Sequence, residues 1–247
     1  MGCDNVKRWL GISSGCPATT AADGSGLIVD TLAAQLYDRL LDVDPYTYRL
    51  VPELAESWEV LDNGATYRFH LRDDVAFQRT PWFTPTRKLN ADDVVFTFQR
   101  IFNRNHPWHN VNGSNFPYFD SLQFADTVKS VRKLDNRTVE FTLTRPDASF
   151  LWHLATHYAS VMSAEYAAKL AQSDRQELID RQPVGTGPFK FSEWKRGQYV
   201  KLVRNDDYWQ KGLPYLDSIF FQVIPDAESR MLALENGSVQ VASFGDI

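Results

Sequence analysis

The chain has 247 residues, room for one large domain or two smaller ones, and its 43% hydrophobic and 23% charged residues are ordinary for a globular protein. A net charge of −5, from 26 basic and 31 acidic residues, lacks the basic excess of a nucleic-acid binder. No apolar run approaches the ~20 residues of a membrane span, and two cysteines, Cys3 and Cys16, are too few for a cysteine-built zinc cluster.

Residues 1–24 show no period and read as an irregular lead, with Ser13-Ser14-Gly15 and the small residues from Ala21 to Gly26. Cys3 and Cys16 could close one loop there or stay as two thiols. No secretory signal is apparent. Leu27, Ile28, Ala33, Leu36, Tyr37, Leu40 and Leu41 then recur at helical steps and predict one helix, ended by Pro45. Asp62-Asn63-Gly64 is a hairpin turn signal. It joins a strand carrying Trp58 and Val60 to the alternating strand Thr66-Tyr67-Arg68-Phe69-His70-Leu71-Arg72.

Asn90 is a candidate N-cap, with Asp92 and Asp93 in the first turn and Val94, Val95, Phe98 and Ile101 on the apolar face. Residues 103–121 form a long Asn-, Pro- and aromatic-rich loop, a length often tied to function. A second hairpin runs from Val128 through Asp135-Asn136 to Leu143. Helices are predicted over 148–157 and 163–179, and strands over Val184 to Phe191, Tyr199 to Val203 and Ser218 to Val223. A helix from Asp226 to Glu235, capped by Gly237, leads to a last strand from Val239 to Phe244. Hairpins mixed with helix-linked strands give an α/β or mixed α+β class with a mixed sheet.

Catalytic signatures are missing. No Gly-x-Ser-x-Gly elbow stands between a predicted strand and helix, the one match, Gly11 to Gly15, lying in the irregular lead, and there is no phosphate-binding Gly-x-x-x-x-Gly-Lys loop. Gly185-Thr186-Gly187 is followed by Phe189-Lys190 where a third glycine would stand. His153 and His157, four apart, would share a helix face, but a zinc site needs further ligands and the plainer reading is a packed amphipathic helix. His106 and His109 flank Trp108 in the long loop, where histidines commonly bond to backbone. The 7 Trp, 10 Tyr and 16 Phe suit a large aromatic core, or a cleft walled by rings.

Five segments fit one family together, in order and spacing. They are Pro52-Glu53-Leu54-Ala55-Glu56-Ser57-Trp58-Glu59-Val60 with its hairpin, Asn90 to Phe98, Pro183-Val184-Gly185-Thr186-Gly187-Pro188-Phe189, Asn205-Asp206-Asp207-Tyr208-Trp209, and Pro225-Asp226-Ala227. With these the chain resembles the family 5 extracellular solute-binding proteins, the receptors of peptide and nickel ABC importers. Residues 25–182 look most similar to the periplasmic receptor linked to antimicrobial-peptide resistance, and next to the dipeptide receptor.

The resemblance implies a periplasmic-binding-protein-like N-lobe with a mixed sheet and a smaller hairpin-containing subdomain. Residues 25–182 would form the lobe and its inserted subdomain, and 183–247 would complete it up to the first crossing between lobes. It implies a monomeric, extracytoplasmic peptide receptor with no cofactor and no catalysis, serving an ABC permease. The family's second lobe would be absent. Ligand contacts would come from Ser25, Gly26, Leu27 and Ile28, expected as a loop, from the loop of His109, Asn110, Asn115, Phe116 and Tyr118, and from Ser243 and Phe244 beside Ala242. The recognisable Gly, Pro and Trp segments would be scaffold. Rival readings are a haem, metal or glutathione-type site on the same fold, a fragment or engineered scaffold that binds nothing, and, least favoured, a hydrolase.

Overall fold

The computed structural model describes residues 25–113 and 116–242, with backbone alone for 25–30 and 112. The first helix, α1, spans Ser25–Leu36 and stops well short of Pro45. The reason lies far away in sequence. The Leu36 carbonyl, which would otherwise be an orphan at the helix end, accepts from Gly187 N at 3.1 Å and from the buried Gln78 Nε2 at 3.3 Å. Leu40 and Leu41 leave the helix, and the Leu40 carbonyl accepts from the amides of Glu53 and Ala55. Strand β1 (Leu41–Val43) then pairs with β2 (Leu50–Pro52).

β3 (Ala55–Leu61) and β4 (Thr66–Leu71) form the expected hairpin, with Trp58 opposite Phe69 and Val60 opposite Tyr67. The turn is left-handed at Asp62, Asn63 and Gly64 (φ 50°, 54° and 91°), which Asp and Asn tolerate and Gly adopts without strain. β5 (Val128–Lys133) and β6 (Thr138–Leu143) complete a four-stranded sheet in the order β3-β4-β6-β5. Helix α2 (Ala91–Phe102) packs on β5 and β6, and Phe98 meets the Phe141 ring edge-on at 5.0 Å. Its start is tied reciprocally. Asn90 Oδ1 accepts from Asp92 N at 2.9 Å, and the Asp93 carboxylate accepts from Asn90 N at 2.9 Å. Buried Asp93 is neutralised by Arg87 at 2.6 Å.

Short helices α3 (Pro117–Ser121) and α4 (Phe124–Thr127) lead into β5. The helix predicted over 148–157 is only α5 (Phe150–Leu154), and His157 sits on a separate 3-10 turn, His157–Ala159. The two histidines therefore do not share a helix face. The helix predicted over 163–179 ends at Gln172 as α6 (Ala164–Gln172), followed by a 3-10 turn at Gln176–Asp180.

A second sheet follows, ordered β7 (Phe189–Lys195), β8 (Tyr199–Arg204) and β9 (Ser218–Gln222), and helix α7 (Ala227–Glu235) comes after it. The strand expected from Val184 begins only at Phe189, because 185–187 is spent against α1. A Cβ on Gly185 would lie 1.9 Å from the Leu36 carbonyl oxygen, and one on Gly187 would lie 2.6 Å from that of Gln35. These glycines serve close packing and do not cradle phosphate. Residues 239–242 form no strand, and 243–247 lie outside the described residues. The class is mixed α/β, and every strand pair among the described residues is antiparallel. The main core fills the space between the four-stranded sheet, α2 and α6, and a smaller one joins Leu32 and Leu36 of α1 and the following Tyr37 to Phe189, Val200 and Leu202.

Two of the recognisable segments, those of Glu53 and of Tyr208-Trp209, meet in one buried junction. Asp38, just past α1, accepts from Trp209 Nε1 at 2.9 Å and from Tyr208 OH at 3.3 Å. Next to it Arg39 donates from Nε to Glu53 at 3.1 Å, and Arg72 donates to the Glu53 carbonyl while lying over the Trp209 ring. Burial raises the Asp38 pKa and pushes Glu53 up to about 8, with Arg39 opposing the latter. All of these groups are occupied by one another, which is a scaffold arrangement.

Candidate ligand-binding site

The long loop begins where α2 ends and is anchored from below. His109 Nδ1 lies 2.8 Å from the Arg100 carbonyl, and its ring stands 5.4 Å from that of Phe116. Arg100 Nε donates to the Trp108 carbonyl at 3.2 Å. Phe96 holds both His106 and Trp108 by edge contacts at 5.8 Å. Of the expected contacts, Phe116 is buried, His109 and Tyr118 are half-buried and Asn110 is exposed.

Tyr118 belongs to an aromatic patch that the sequence did not group. It stacks on Tyr158 with centroids 4.3 Å apart and planes 16° from parallel. Its hydroxyl lies 3.2 Å from His153 Nδ1, and the His157 ring sits 3.9 Å from that of Tyr158. Trp152 adds a ring that is 45% exposed. α1 packs against the turn carrying His157 and Tyr158, so the α1 segment and the loop approach each other through this patch. Burial lowers the pKa of His106 and of His153, which favours the neutral imidazole in both. Burial likewise raises the Tyr118 pKa. The patch offers flat apolar faces with uncharged donors and acceptors, a surface for side chains and amides.

Ser25, Gly26, Leu27 and Ile28 form the first turn of α1, so the expected loop is helical. Cys3, Cys16, Asn115, Ser243 and Phe244 lie outside the described residues. Ser149, His153 and Asp147 come together, but in the wrong order for nucleophilic catalysis. The Ser149 hydroxyl donates to Asp147 Oδ1 at 2.6 Å, and His153 Nε2 lies 3.0 Å from that hydroxyl. The carboxylate holds the serine and not the histidine, whose other nitrogen faces Tyr118. Among the described residues no three His, Cys, Asp or Glu side chains gather as a metal site. Arg100 escaped the sequence reading, although a charged residue three after Thr97 on the buried stripe of α2 was a signal.

The family model for bacterial extracellular solute-binding proteins, family 5 Middle, matches residues 49–247. The chain is 74% identical over 220 residues to the peptide transport periplasmic protein SapA of Salmonella typhimurium, covering 89% of this chain and 40% of that protein. It is 41% identical over 222 residues to heme-binding protein A of Haemophilus influenzae, with coverage of 90% and 40%. Among solved structures, the dipeptide binding protein from Pseudoalteromonas sp. SM9913 in complex with Met-Leu superposes with a TM-score of 0.82 at 36% identity, over 89% of this chain and 42% of that one. The chain thus spans about 40% of the length of the curated relatives it matches. A family-model match over residues 49–247 and a relative 74% identical over 220 residues place the chain among the bacterial extracellular solute-binding proteins of family 5.

Proposed function

We propose that the chain contributes one wall of a peptide-binding cleft in a periplasmic receptor that delivers its ligand to an ABC permease. The carrying observation is the stacked Tyr118–Tyr158 pair, with His153 at the Tyr118 hydroxyl and α1 packed on the turn that carries Tyr158. Rings of this kind give large contact area at low entropic cost, and neutral imidazoles and hydroxyls bond to amides without a charged partner. The Met-Leu complex of the superposed relative and the peptide-transport name of the 74% identical one support the substrate class. On this reading residues 25–182 form the lobe with its inserted subdomain, and 183–247 carry the chain toward the second lobe. Ser25 to Ile28 would present backbone groups from the start of α1, and Ser243 and Phe244 would lie at the crossing.

The test is a titration with Met-Leu followed by NMR of the aromatic and imidazole resonances. Shifts are expected at Tyr118, Tyr158 and His109, and they should shrink in Tyr118→Leu. Unchanged spectra up to about 10 mM peptide, beyond the weakest useful affinities, would sink the reading. A porphyrin could also lie on such a ring pair, and a haem-binding relative stands at 41% identity. A Soret-band titration on the same protein separates the two, since haem ligation by histidine moves that band and peptide does not.

A further inference from the structure

Arg100 is a buried guanidinium, 1% exposed, in the last turn of helix α2. Among the described residues no carboxylate hydrogen-bonds to it. Its Nη1 rests on Met162 Sδ at 2.8 Å, and its Nη2 has no hydrogen-bond partner. The charge of Asp180 favours it from nearby. Taking a guanidinium out of water costs several kcal/mol, and an apolar side chain of similar length would fill the same volume without that cost. A role in core packing alone therefore does not account for an arginine here.

What an apolar side chain could not do is hold the loop. The Arg100 side chain reaches it at two places. Its Nε donates to the Trp108 carbonyl at 3.2 Å and its guanidinium lies over the Phe116 ring at 5.6 Å, while the 2.8 Å contact of His109 Nδ1 is to the backbone carbonyl, which any residue here would supply. The contact to Met162 fixes the other end of the fork to the chain just before α6. One rigid planar group thus sets the path of the backbone at 108 and the seat of Phe116, whose ring stands 5.4 Å from that of His109 and which lies two residues before Tyr118.

We propose that Arg100 is a positioning residue for the ligand-facing loop, acting on His109 and Tyr118 from inside the core without touching the ligand. Its effect on affinity rests on the peptide-binding reading above. Its effect on the loop does not.

The experiment compares wild-type protein with Arg100→Met and Arg100→Lys by amide hydrogen exchange and by Met-Leu titration. In Arg100→Met the amides of Trp108, His109 and Gly113 should exchange about tenfold faster, while those of β4 and β6 hold their rates. Arg100→Lys, which keeps a donor and the charge but loses the flat fork, should fall between. Met-Leu affinity should weaken about tenfold in Arg100→Met, with part restored in Arg100→Lys. A uniform rise that includes β4 and β6, loop amides at wild-type rates, or failure of both variants to fold would each overturn the proposal, because each assigns Arg100 to the core or to nothing. If wild-type protein shows no Met-Leu shifts, the binding reading fails and the exchange comparison still decides the loop.

Discussion

At the scale of single residues, the structure turns on places where two segments meet with no room to spare. Gly185 is the clearest. It presses on the last carbonyls of α1, and its own carbonyl accepts from Gln78 N at 2.9 Å. Gln78 Nε2 then donates to the carbonyls of Leu36, Gly187 and Phe189, so one buried amide fastens the end of α1 to the start of β7. Gly185→Ala would push a methyl to 1.9 Å from the Leu36 oxygen, where only backbone can yield. A loss of about 3 kcal/mol is expected from such overpacking, read as a lower urea midpoint. A variant within about 0.5 kcal/mol of wild type, the range of innocuous surface changes, would show that the loop has slack the structure does not display.

At the scale of elements, the outer face of the four-stranded sheet carries a ladder of alternating charge. Register places Glu59 opposite Arg68, Arg68 opposite Glu140, and Glu140 opposite Arg132. Glu140 is the centre, with Arg132 at 2.6 Å and Arg68 at 2.9 Å. The hydrogen bond from Arg132, joined by that from Arg68 against desolvation, holds its pKa below the ordinary 4.5. A depressed carboxylate stabilises the fold fully above its ordinary pKa and loses that contribution as pH falls through the folded value. Glu140→Gln should therefore cost about 1–3 kcal/mol at pH 7, the worth of charged hydrogen bonds. The gap to wild type should begin to close below pH 4.5, measured by urea unfolding across pH. A gap that is constant down to about pH 3 would mean that the ladder is not what Glu140 contributes.

The elements also show what a sequence can disclose. Hairpins and the Asn90 cap were legible because their determinants lie within a few residues, as with Asn63-Gly64 or the Asn90–Asp93 exchange. The end of α1 was not, because Gly187 and Gln78 decide it from 151 and 42 positions away, and the late start of β7 was not, because α1 decides it across the same long separation. The scaffold role of the Pro-Val-Gly-Thr-Gly-Pro-Phe segment followed from its composition, but the partner it packs against did not. Likewise His109 and Tyr118 could be pointed to in the loop, whereas Tyr158 joins them only through tertiary stacking.

At the scale of the molecule, stability is distributed unevenly, and this bears on the Tyr118–Tyr158 patch. The main core holds the sheet, α2 and α6, and includes the rings of Phe69, Phe98 and Phe150, each in contact with Phe141. The second sheet shares a core of six buried residues with the end of α1. Helix α7 buries none of its residues and leaves Met231, Leu232 and Leu234 exposed. A nine-residue helix has little stability of its own without packing. Native-state hydrogen exchange should accordingly rank the chain in three levels: slowest in β4 and β6, intermediate in β7 and β8, and close to unprotected rates in α7. The loop with His109 hangs from α2, in the slowest unit, so the wall at Tyr118 and Tyr158 should stay formed while α7 opens. Equal protection of α7 and β6 would contradict this ranking and would show that α7 is held by contacts beyond those of the described residues.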